Sequence, residues 1–172
     1  MEIPECILRR RSVRNFFDKE ISDEDIEIFL KAATLAPSAG NLQPWSFIVV
    51  KDASTKEKLS EAALGQKSLI MSSVVFVICA EASRSVPRYG ERGTKLYCLQ
   101  DTAVATMNII LTASHNGLGS CWIGAFNEEM VSKTFQLPEG VRPIALLPVG
   151  YPADAPPQRP RRQLNEVVLK WV

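Results

Sequence analysis

Three arginines and a serine fall within five residues at Arg10-Arg11-Ser12-Val13-Arg14. Guanidinium forks match the oxygens of a phosphate and the hydroxyl adds a donor, so this segment can hold a phosphate group. A solvated basic turn is the plainer reading of the same residues. A second group, Pro37-Ser38-Ala39-Gly40-Asn41-Leu42-Gln43-Pro44-Trp45, combines small residues with two amides. Small residues let the backbone approach a ligand closely, and Asn41 and Gln43 each donate and accept. The pyrimidine edge of a flavin presents that mixture; a helix-to-strand turn would use the same Pro, Ser, Gly and Asn.

Other candidates carry less. Gly117-x-Gly119-x-x-Trp122 lacks the third glycine of a dinucleotide fingerprint, and it precedes a predicted strand instead of following one. His115, the only histidine, stands where a long predicted helix ends; it can satisfy nearby carbonyls there, with proton donation as the alternative. Cys6, Cys79, Cys98 and Cys121 form no CxxC, so the clustered ligands of a zinc or iron–sulfur site are lacking. The cysteines are expected to pack in the core or an interface, with a redox role for Cys121 left open.

The 172 residues are 46% hydrophobic and 23% charged with net charge +1, an ordinary globular composition. That balance supplies neither the basic excess of a nucleic-acid binder nor that of a membrane-surface protein. Thr102 to Asn127 holds no formally charged residue, but Thr, Asn, Ser, His and Gly interrupt it too often for an apolar span of about 20 residues. A buried helix followed by a buried strand fits better. The N-terminus has no basic start and apolar run of a signal peptide, so the expected location is the cytoplasm.

The elements that must position these groups follow from periodicity and breakers. A short amphipathic helix is predicted over 3–10. Ser22-x-x-Asp25 resembles a capping box and opens a helix that stops at Pro37. Trp45 to Lys51 reads as a strand, Ser54-x-x-Glu57 as the cap of a helix to Leu64, and Val74 to Ala80 as a central strand. Residues 83–94 read as a surface loop. The span from Thr94 to Asn116 reads as a helix apolar on most of its circumference, which a partner subunit would have to cover. Cys121 to Phe126 is expected as a strand, Glu128 to Gln136 as a helix capped by Asn127, and Ile144 to Gly150 as a strand. Four prolines should keep most of the tail, 151–172, extended.

Four segments together, RRSVRNF, PSAGNLQPWSFIVV, LYCLQDTAVATMNIILTASHNGLGSCWIGAF and LLPVGYPADAPPQRPRRQL, resemble the nitroreductase family of flavoenzymes in its short form, from about residue 7 to 168. The resemblance implies an α+β fold: one domain over 1–172 with a mostly antiparallel central sheet flanked by helices, in an intertwined homodimer whose tail wraps the partner. It implies that Arg10, Arg11, Ser12 and Arg14 hold the phosphate and ribityl chain of FMN, joined by Arg159 and Arg161 with Arg162 close by. It places Pro37, Ser38, Asn41 and Gln43 of the other subunit against the flavin ring. Backbone N–H groups of Ile123, Gly124 and Ala125 would face flavin N5 and O4, and Lys67 would sit near N1 and O2.

The implied activity is that of an FMN-dependent oxidoreductase. Electrons would pass from NAD(P)H through the flavin to nitroaromatic, quinone or similar acceptors by a ping-pong mechanism. The cofactor carries such chemistry, so no catalytic side chain is required. Ene reduction or dehalogenation on the same scaffold, and a non-catalytic flavin-binding module, are the alternatives. Longer relatives carry lid-like helices where this chain has 82–95. Arg84, Arg88, Tyr89 and Arg92 of that stretch can face an anionic substrate, against the plainer reading of a solvated charged loop.

Overall fold

The computed structural model describes all of residues 1–172. Strand β2, Val74–Glu81, is buried from Val74 through Ala80, because its β-branched run meets helices on both sheet faces. It pairs antiparallel with β1, Trp45–Val50, on one side and with β4, Val141–Gly150, on the other. A two-residue strand β3, Gly119–Ser120, pairs with the end of β4, giving the order β1-β2-β4-β3.

The period of two along the strands divides the core. Val74, Phe76 and Ile78 join Ala145, Leu147 and Val149 on one face, under α2, Asp23–Thr34, and α6, Cys98–His115. Val75, Val77 and Cys79 join Leu146 on the other, beneath α3, Ala53–Ala62, α4, Ser68–Met71, and α7, Glu128–Phe135. Three short or irregular helices complete the chain: α1, Glu5–Arg9; α5, Ala82–Arg92; and α8, Leu164–Val167, in the otherwise irregular tail.

Helix starts mostly match the expected caps. Ser22 Oγ accepts from the Asp25 N–H at 3.1 Å, and Asn127 Oδ1 from the Met130 N–H at 3.0 Å. The third cap differs. Asp52, not Ser54, opens α3, its carboxylate accepting from the Thr55 N–H at 2.7 Å and from the Ser54 and Thr55 hydroxyls. Those bonds hold its carboxyl at about 2, because they favour the charged form.

Two larger expectations fail. Cys121 to Phe126 is not a strand: the ladder stops at Ser120 and resumes only as a bridge between Ile123 and Leu146. Pro148, opposite Cys121, accepts from the Cys121 N–H at 3.3 Å but has no N–H to return. Residues 83–94 are not a loop. They form α5, bent at Gly90 (φ 52, ψ −137), and continue through one wide turn, Gly93–Tyr97, into α6, which therefore starts at Cys98 instead of Thr94. Packing holds this segment: Ser85 is fully buried, a Cβ on Gly93 would lie 2.7 Å from the Ser85 carbonyl oxygen, and the Tyr89 and Tyr97 rings meet edge to face at 5.1 Å.

Burial on β2 pushes the Cys79 thiol up to about 12, the Glu81 carboxylate adding to the effect. The folded chain keeps this thiol protonated where an unfolded chain has already ionised it. Stability therefore falls as pH rises from the ordinary thiol range toward that value. Cys79→Ala is expected to lose less stability than the wild type between about pH 8 and about pH 10.5, read as the shift in urea midpoint. Equal shifts in the two proteins would show that this thiol plays no part in alkaline unfolding.

Candidate functional site

Residues 11–17 run along the free edge of β3. Ser12 bridges Ser120, the Val13 N–H donates to the Ser120 carbonyl at 3.0 Å, and a Cβ on Gly119 would lie 2.7 Å from the Val13 side chain. The same segment holds the start of the tail: the Phe17 N–H donates to the Tyr151 carbonyl at 2.9 Å and the Ala153 N–H to the Asn15 carbonyl at 3.0 Å. These contacts bring the C-terminal arginines back to the N-terminal ones. Arg10, Arg11, Ser12 and Arg14 line one cavity of about 110 Å³ with Pro156, Pro157, Arg159 and Arg161. No carboxylate lines it.

Arg11 is partly engaged, with Nη1 donating to the Leu8 and Arg10 carbonyls at 2.7 and 2.9 Å and Nη2 to Gln158 Oε1 at 3.3 Å. Arg162, expected nearby, does not line the cavity; its guanidinium donates to the Glu166 carbonyl. A larger cavity of about 370 Å³ adjoins, sharing Arg10, Arg11 and Pro156, and includes His115. His115 is exposed, and the carbonyl of Thr112 near the helix end is taken by the Asn116 side chain at 2.8 Å.

Next along the β3 edge comes the stretch 121–127. The Ile123 N–H and carbonyl both bond to Leu146 at 2.9 Å and its side chain is buried. Its N–H is thus committed to the sheet and cannot face a ligand. The N–H groups of Gly124 and Ala125 donate to no backbone acceptor, and both residues are exposed. Cys121 is buried beside them. Burial raises its thiol, against the lowering effect of Arg14 and Arg10, which disfavours the thiolate that redox chemistry needs.

The second group lies elsewhere. Residues 37–43 turn before β1, with Gly40, Asn41 and Gln43 all at positive φ (58°, 56° and 49°). The Ser38 hydroxyl accepts from the Gln43 N–H at 3.0 Å, and the Asn41 N–H donates to the Ser38 carbonyl at 2.9 Å. Pro37, Asn41 and Gln43 are exposed, and the two amides meet each other at 3.4 Å.

The first turn of α6 clamps this loop at both ends. Asp101 Oδ2 accepts from the Ala39 N–H at 3.1 Å, and the Thr102 hydroxyl shares its proton between the Cys98 carbonyl at 2.7 Å and the Pro44 carbonyl at 3.0 Å. Partial burial raises the Asp101 carboxyl, partly offset by the Ala39 N–H. Asp101 belongs to no sequence motif, although it is the only charged residue between Cys98 and Ser114.

Within the chain the two groups stay apart. β1, which follows the loop, and β3, which carries the arginine segment, are opposite edges of the sheet, about 14 Å apart at ordinary strand spacing. They also face opposite ends of α6. Asp101 holds the loop, while the Ser114 hydroxyl donates to the Cys6 carbonyl of α1, about 20 Å further along. Lys67 precedes α4, exposed, and lines neither the arginine cavity nor the loop.

No helix is long and apolar enough to cross a membrane. The nitroreductase family model matches residues 7–70 and 65–151. A protein of Archaeoglobus fulgidus provisionally named an NADH dehydrogenase/NAD(P)H nitroreductase is 41% identical over 157 residues, covering 89% of this chain and 87% of its own. The FMN reductase (NADPH) of Bacillus subtilis is 32% identical over 170 residues, covering 91% and 68%. The solved structure of NfrA1 from B. megaterium superposes with a TM-score of 0.92 at 32% identity, over 98% of this chain and 73% of that one. With its antiparallel sheet between helix layers and its arginine-lined edge, the chain belongs to the nitroreductase family.

Proposed function

We propose that this protein is an NAD(P)H-dependent FMN oxidoreductase that works as a homodimer, in a reducing compartment such as the cytoplasm that suits its four free cysteines. The carrying observation is the arginine cavity: five guanidinium groups and a hydroxyl converge where no carboxylate neutralises them. That donor set fits a phosphate dianion. The N–H groups of Gly124 and Ala125 are unpaired donors on the same edge and suit the polar rim of a flavin ring. Arg10, Arg11, Ser12, Arg14, Arg159 and Arg161 would hold the phosphate end of FMN.

Bound there, FMN would supply the two-electron chemistry, accepting from NAD(P)H and giving to a nitroaromatic, quinone or similar acceptor in ping-pong order. The protein's part is placement. Asn41 and Gln43 would meet the ring of a neighbouring subunit, held in a left-handed loop by Ser38 and by Asp101. Lys67 would favour negative charge at the far rim.

The dimer part of this reading is supported by what one chain keeps apart. Its loop and its arginine edge lie at opposite edges of the sheet, whereas a symmetric pair could bring each loop to the partner's edge. α6 also leaves an apolar stripe open, Val104 and Met107 being 42% and 41% exposed beside half-buried Leu111. Relatives named FMN reductase and NADPH nitroreductase support the chemistry.

Arg14→Ala is expected to weaken FMN binding about tenfold or more while barely changing binding of riboflavin, which lacks the phosphate, in fluorescence titrations. Equal loss for both ligands would place the phosphate elsewhere. Met107→Asp should sediment as a monomer and lose turnover; a dimeric, active variant would count against α6 as the interface. Anaerobic stopped-flow with NADH and with NADPH should bleach bound flavin. A yellow protein bleached by neither would be a flavin-binding module, and a chain that binds no FMN would end this reading.

A further inference from the structure

α5 and the wide turn after it carry three arginines beside the 37–43 loop, and their contacts separate them. Arg84 is ion-paired with Glu81, and Arg92 Nε donates to the Tyr97 hydroxyl at 2.8 Å. Arg88 meets no carboxylate; its guanidinium lies 5.6 Å from the centroid of the adjoining Tyr89 ring and is exposed. Its Nη1 lies 2.7 Å from where a Cβ of Gly40 would stand, with the Tyr89 hydroxyl 2.8 Å from the same point. An uncompensated cation thus stands on the crest of the loop that delivers Asn41 and Gln43. The mount is firm, because Ser85 is buried beneath Gly93 and Tyr89 packs on Tyr97.

We propose that Arg88 is the specificity-determining residue of this site, holding an anionic group on the small molecule that visits the flavin face. This rests on the reading above, in which the 37–43 loop lies against the flavin. A planar guanidinium grips carboxylate, sulfonate or phosphate oxygens with two parallel hydrogen bonds, and glycine at position 40 leaves room for that guanidinium to lie against the loop. Glu81 neutralises Arg84 and Arg92 spends its Nε on Tyr97, whereas Arg88 is the one of the three that reaches the loop at Gly40. The anion can belong to the oxidised acceptor or to the 2′-phosphate of the nucleotide donor.

The test uses FMN-loaded wild type, Arg88→Ala, Arg88→Lys and, as a charge-matched control, Lys95→Ala, whose ammonium is already paired with Glu91. Acceptors are compared as the pair 4-nitrobenzoate and nitrobenzene, and donors as NADPH and NADH. Benzoate and benzyl alcohol are also titrated into the oxidised holoprotein and followed by flavin absorbance. Arg88→Ala should lower the nitrobenzoate-over-nitrobenzene ratio of kcat/KM about tenfold, through KM, and weaken benzoate binding to match.

Arg88→Lys should recover part of the loss, and Lys95→Ala should keep the wild-type ratio. A fall confined to the NADPH-over-NADH ratio would support the anion-binding role and assign the anion to the donor. Unchanged ratios for both pairs would overturn the proposal, as would, in a protein whose flavin neither nucleotide reduces, a benzoate affinity the substitution leaves intact. The titration needs no turnover, so a flavin that neither nucleotide reduces would defeat the proposed function and still leave the Arg88 question answered.

Discussion

β2 has no solvent face, and the placement of everything else follows from that. Seven successive residues from Val74 to Ala80 are buried, and alternate side chains serve two different cores. Each large side chain buried there stabilises by about 1.5–3 kcal/mol relative to exposure. A strand so placed must be central, which sends β1 and β3 to the edges. The candidate site residues sit beyond those edges: the loop before β1, and the segments bonded to β3.

The edge by β3 is built from backbone pairing that ends early. Pro148 removes one donor from β4, so the chain after Ser120 loses its ladder and makes one more bridge at Ile123. Beyond that bridge, the Gly124 and Ala125 N–H groups have no partner in the sheet. On the other side of β3, residues 11–17 pair with Ser120 and with the start of the tail, gathering Arg10, Arg14, Arg159 and Arg161 from the two ends of the chain. Electrostatic repulsion among them is tolerable in solvent, and an anion relieves it.

α6 relates the two edges. It clamps the 37–43 loop near its start through Asp101 and Thr102 and meets α1 near its end through Ser114. Its length keeps the two groups apart within one chain, and Val104 and Met107 along it remain exposed.

Several features were legible in the residues themselves because they depend on near neighbours. Pro37 ends α2, Ser22 and Asn127 cap their helices, and the β-branched run from Val74 makes a central strand. Four matched segments identify the family. What tertiary structure decided depends on residues far apart in the chain. Ser85 beneath Gly93 turns a Pro- and Gly-containing stretch into α5, against its local propensity. Pro148 cancels a strand whose own sequence is suitable, because pairing requires donors on both sides. Arg84, Arg88 and Arg92 are alike as letters; only their partners, Glu81, the Gly40 loop and Tyr97, show which of them is free.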